Sequence, residues 1–115
     1  MAARANLQID RGATFSSDVT VSDTDGTAFD LTGYTAAAKM AKGYASTQTR
    51  VNITATINND PTTGVITLSL TADQTKALDA PARYVYDVEI TKTSDSTVTR
   101  VIEGLITINP DVTTD

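Results

Sequence analysis

The residues with chemistry to offer are few, and most are carboxylates. In RYVYDVEI, residues 83–90, Asp87 and Glu89 stand two apart on one face of an extended strand. Tyr84, Tyr86, Val88 and Ile90 take the other face. A second alternating run, TVTRVIEGLITI, carries Glu103. If the turn between the two runs centres on Asp95, Tyr84 lies opposite Ile106, Tyr86 opposite Gly104 and Val88 opposite Ile102. Asp87 then faces Glu103, with Glu89 two residues along. Three carboxylates in one patch have the makings of an acid/base pair or a hard-cation site. They equally make a solvated acidic face, or an interface that meets a basic surface. Lys39, Lys42, Tyr44 and Arg50 form a modest basic cluster, either a solvated loop or a contact for the acidic hairpin of a neighbouring copy.

Composition narrows the choice. The chain has 115 residues with no histidine and no cysteine. The commonest general base, the usual partner of a serine nucleophile and the thiolate ligands are therefore missing. A flat sheet face also offers little of the concavity that shifts a catalytic pKa. The expectation is no enzyme, no cofactor, no metal and no small-molecule substrate. DTDG, residues 23–26, with Asp30 beyond it, has the start of a calcium loop, but Tyr34 stands where such a loop needs glutamate. A β-turn is the better reading. The net charge is −5, and the nine basic residues are scattered, which argues against nucleic acid. No apolar run is long enough to span a membrane, and the first residues lack a signal-peptide pattern. The expectation is a chain that folds in a cytoplasm.

The elements that must position these residues are strands. Period-two alternation marks residues 5–9, the run TFSSDVTVSD, YTAAAKMAK, VNITATI, VITLSL and the last two runs. TAFDLTGY contributes Phe29 and Leu31 as anchors before Gly33. NNDPTTG, residues 58–64, is turn chemistry. At TADQTKAL the period changes: Thr71 with Gln74 three later reads as a capping box, and Pro81 stops the helix, giving one short helix near 71–79. Seven or eight short strands at regular spacing predict an all-β, immunoglobulin-like antiparallel β-sandwich as a single domain over 1–115.

Three segments in order, FDLTGYTAAAKMAKGYAST, GVITLSLTADQTKAL and RYVYDVEITKTSDSTVTRVIEGLITINPDVT, resemble small virion structural proteins of tailed bacteriophages, notably those of cyanobacterial phages. The likeness runs from about Asp10 to Thr113. More loosely, the chain is similar to N-terminal domains of phage baseplate upper proteins. The resemblance implies a virion component of the tail or baseplate, partnered by other virion structural proteins and by copies of itself in a symmetric assembly. A capsid decoration or head-to-tail connector protein, or a carbohydrate-binding host-recognition module, is the alternative. No catalytic residue is carried over. The candidate interface residues are Asp87, Glu89, Glu103, Lys39, Lys42, Tyr44 and Arg50.

Overall fold

The computed structural model describes residues 3–23, 25–43, 45 and 49–112. The chain is mostly β, with strands β1 (Ala3–Arg4), β2 (Leu7–Asp10), β3 (Phe15–Thr20), β4 (Tyr34–Ala41), β5 (Val51–Ile57), β6 (Val65–Leu70), β7 (Ala82–Lys92) and β8 (Val98–Asn109). A 3-10 turn, Pro61–Thr63, precedes β6, and the helix α1 (Ala72–Lys76) follows it. Alternation is what makes these segments strands. Ile66, Leu68 and Leu70 are buried along β6, and Tyr84, Tyr86, Val88 and Ile90 along β7. Alanine-rich β4 is a strand because Ala38 and Met40 fill the same core as their strand neighbours. Tertiary packing overrides the helical preference of alanine here.

The strands follow one hydrogen-bonded path, β1–β8–β7–β4–β5–β6–β3, with β2 also against β8. β5 makes the path continuous. Its first residues pair with β4 and its last with β6, so the sheet curls around one aliphatic core. The observed architecture is thus a single curled sheet, where the sequence predicts two stacked sheets. All pairs among β3–β8 are antiparallel as expected, but β1 and β2 run parallel to β8. That pairing joins residues about a hundred positions apart, and no local pattern announces it. The TAFDLTGY segment contributes only a single bridge, between Ser22 and Ala28. Leu31 nevertheless anchors the segment in the core, and Phe29 packs edge-on against Tyr34 with centroids 5.5 Å apart.

The capping box forms. Thr71 Oγ1 accepts the Gln74 N–H, and the Gln74 side chain accepts the Thr71 N–H at 2.8 Å. The helix is only five residues long, shorter than expected, and Leu78 closes it by donating its N–H to Thr75 O. Tyr84 then ties its hydroxyl to the Asp79 N–H at 3.1 Å.

The terminal hairpin carries the predicted register from Ala82 to Val88, including Tyr86 opposite Gly104. The glycine serves a different need from the one a cross-strand ring suggests. A Cβ at position 104 would lie 2.1 Å from Ala5 O, because the N-terminal segment crosses β8 there. Tyr86 reaches the same spot and donates its hydroxyl to Ala5 O. Burial pushes that phenol up to about 12.

Candidate functional site

The predicted acidic patch lies on the outer face of β7 and β8. Asp87 sits opposite Glu103, as the sequence register has it. Beyond Val88 the register slips by one, so Glu89 faces Arg100. The slip is a bulge in β8, where Val101 and Ile102 are both buried. Strict alternation would place Arg100 on the core face with Ile102. The extra residue turns it outward instead, since one residue of slip exchanges faces. Arg100 Nε then lies 3.3 Å from Asp87 Oδ2, and its Nη1 lies 3.5 Å from Glu103 Oε1. Arg4, on β1, reaches Glu103 from the other side at 3.8 Å.

On its second flank Asp87 is the register partner of Lys39 on β4. The patch is therefore a row of alternating charge, Arg4, Glu103, Asp87, Lys39, with Arg100 between the carboxylates. Such partly exposed pairs contribute about 0–1 kcal/mol each, so they orient side chains more than they stabilise the fold. Among the described residues no group of three or more potential ligands is disposed to hold a metal ion.

Of the basic cluster, Lys39 and Arg50 stay together, lining one shallow depression beside Asp87, while Lys42 leaves them. Lys39 belongs to the row just described. Lys42 pairs with Asp79, beyond α1, and this hydrogen bond and charge raise the amine above its ordinary value and lower the carboxyl. Arg50 donates to Ala45 O at 3.1 Å and reaches Gly43 O, bracing its own loop. Tyr44 lies outside the described residues. The residues that sequence reasoning misses are Arg100, Arg4 and Asp79. For Arg100 the signal is present: an arginine on core parity beside the apolar doublet Val101-Ile102 asks for a bulge.

One end of the curled sheet gathers a repeated turn, Asp-x-Thr. Asp25, Asp30, Asp60 and Asp95 each accept the N–H of the threonine two residues on. The DTDG carboxylate Asp25 and the later Asp30 are thus used locally, as the turn reading expects. Backbone bonds from Val21 to Gly64 O, Leu31 to Pro61 O and Thr93 to Gly33 O stitch these turns into one surface. Gly64 is required at the centre: its φ is +71°, and a Cβ would lie 2.6 Å from Val21 O.

The threonine hydroxyl, then the threonine N–H, holds the carboxyls of Asp25, Asp30 and Asp95 below their ordinary 3.8. A lowered folded-state value means the stabilisation is whole above the unfolded value and is lost as pH falls through the folded one. Carbon-detected NMR titration is expected to give these three carboxyls midpoints below 3.8, and replacing Thr27, Thr32 or Thr97 by valine should return its partner toward that value.

A groove of about 590 Å³ lies at that same end, lined by Val21, Phe29, Tyr34, Ile90 and Val101 among others. Its rings pack edge to face and are half-buried, unlike the open platforms that stack on sugars. The depression beside Asp87 and Lys39 holds only about 60 Å³, well below the roughly 300 Å³ of a small-molecule site. No protein-family model matches the chain, and no curated protein matches it.

Proposed function

We propose that the chain is a non-enzymatic structural component of a tailed-bacteriophage virion, built into the tail or baseplate alongside other virion proteins and copies of itself. The observation that carries the reading is the order of the three resembling segments over nearly the whole length. The residues they share are skeletal in this fold. Leu31 is a core anchor before the Gly33 turn, Thr71 and Gln74 form the capping box, and the tyrosine strand and Glu103-Gly104 form the terminal hairpin.

An immunoglobulin-like description of the curled sheet is part of the proposal. Its support is the strand order: β3–β6–β5 on one side and β4–β7–β8 on the other repeat the B-E-D and C-F-G arrangement of that fold. Tyr84 adds to it. A tyrosine at the start of the sixth sandwich strand that bonds backbone a few residues upstream is a hallmark of such domains.

The role fits a domain whose charged outer row is balanced internally and whose sheet retains a free edge. The test is to purify particles, localise the chain by electron microscopy, and measure the purified chain by size exclusion with light scattering. Density at the tail or baseplate is the expected result. Density at the head or neck would favour the decoration or connector role. A monomeric chain absent from particles would overturn the proposal.

A further inference from the structure

The two ends of the strand path are not equivalent. At one end, β1 and β2 present Arg4, Gln8 and Asp10 outward, but the line is broken between them. Strand pairing lapses at Ala5-Asn6, and the Asn6 side chain is spent on the Leu105 N–H. At the other end, β3 runs six residues against β6 without a slip. Val21 donates its N–H to Gly64 O at 2.7 Å, which sets the phase of that ladder. Alternation then bonds Phe15, Ser17 and Val19 to β6 and turns the N–H and C=O of Ser16, Asp18 and Thr20 outward. None of these outward groups has a partner among the described residues.

A straight, unpaired edge is ordinarily blunted by lysine, proline or a bulge. β3 has none of these. Its one charge is Asp18, at the centre, with its side chain exposed and bonded to the Thr67 hydroxyl at 2.7 Å. That carboxylate decides what can dock. Only one antiparallel register pairs all three outward residues of β3 with those of a second β3. It places Asp18 opposite Asp18 of the other copy, and like charges directly opposite are destabilising. Self-pairing is disfavoured, whereas a strand offering a cation at that point is favoured.

We infer that the β3 edge is a docking site for an extended segment of a partner protein. The segment carries lysine or arginine opposite Asp18 and apolar residues on either side of it. Flanking residues of an added strand point inward. There two grooves between β3 and the N-terminal strands receive them, one of about 340 Å³ lined by Leu7, Gln8, Phe15 and Ser17 and the other of about 590 Å³ lined by Ala3, Thr20 and Val21. Strand addition of this kind draws affinity from main-chain bonds and specificity from alternate side chains.

The inference deepens the assembly reading, on which it rests for the source of the partner. Its test is separate and uses the purified chain with two capped peptides, Ac-TVKVT-NH2 and Ac-TVEVT-NH2. In the free protein the amides of Ser16, Asp18 and Thr20 are expected to exchange rapidly, and those of Ser17 and Val19 slowly. The lysine peptide should shift and protect the three fast amides and bind roughly 3–10-fold tighter than the glutamate peptide. Asp18→Lys should reverse that order without altering the rest of the spectrum.

Unmoved β3 amides, protection confined to β1–β2, or equal affinity for both peptides through the charge reversal would overturn the inference. So would a wild-type dimer in which the same amides are already protected. A chain that binds the peptide yet is absent from particles would sink only the virion reading.

Discussion

Gly104→Ala is expected to detach the N-terminal strands while leaving the rest of the sheet paired. The added methyl would stand 2.1 Å from Ala5 O, a backbone atom held by its own neighbours, so no side chain can swing aside to admit it. Ala5 donates to Glu103 O, Asn6 accepts from Leu105, and Tyr86 donates to Ala5 O, all within this crossing. Overpacking of this kind costs about 1–3 kcal/mol, or roughly 4 °C in Tm for each kcal/mol. The amides of Ala5 and Leu105 should lose protection from exchange, and those of β4 and β7 should keep theirs.

A cycle with Tyr86→Phe makes the result specific. Removing the hydroxyl alone costs about 1 kcal/mol. In the alanine background Ala5 O has already moved from the phenol, so the second substitution should cost less than it does alone. Strict additivity would mean that the glycine and the tyrosine act on different parts of the molecule.

How far the sequence anticipates this structure depends on the range of the interaction. Alternation is local, and it marks β4, β5, β6, β7 and β8 correctly. The Tyr86–Gly104 and Asp87–Glu103 pairs follow from a single hairpin turn and are also legible. The capping box at Thr71 and Gln74 is local and forms as expected. What escapes is non-local or irregular. The parallel docking of β1 and β2 on β8 depends on Gly104, whose missing side chain reads in sequence as space for Tyr86. The bulge at Val101 moves Arg100 to the outer face, so a patch read as three carboxylates is a row of ion pairs. Arg50 stays beside Lys39 because β4 pairs with β5, but Lys42 only looks like a neighbour because it is near in sequence. Asp79 claims Lys42 once the chain folds, and Arg50 also bonds Gly43 O and Ala45 O.

Thr75 is the other residue that alternation could not single out, and its replacement by valine is expected to be at least as costly. It is the buried polar side chain among the described residues, with no exposed surface at all. Its oxygen accepts the Gly12 N–H at 3.0 Å and lies 2.9 Å from Ala13 O and 3.0 Å from Ala72 O, one of which takes its proton. Thr75→Val keeps the shape and increases apolarity, so a purely hydrophobic account predicts no loss. Leaving the Gly12 donor and the Ala13 acceptor without that hydroxyl should instead cost about 2–3 kcal/mol by chemical denaturation. Thr75→Ser keeps the hydroxyl and gives up only a methyl group, worth about 1 kcal/mol.

The order of stability is therefore wild type, serine, valine, and a valine variant as stable as wild type would remove the hydroxyl from the account. The position matters beyond stability. Gly12 and Ala13 form the corner where the chain leaves β2 beside β8 and crosses to β3. Arg11 braces the same corner through Leu78 O at 3.0 Å and Asp111 at 2.7 Å. β3 starts two residues past Ala13, so this corner sets where its free edge begins. Loosening it in the valine variant should speed exchange at Phe15 and Ser17, the residues that hold β3 to β6, before any change reaches β7.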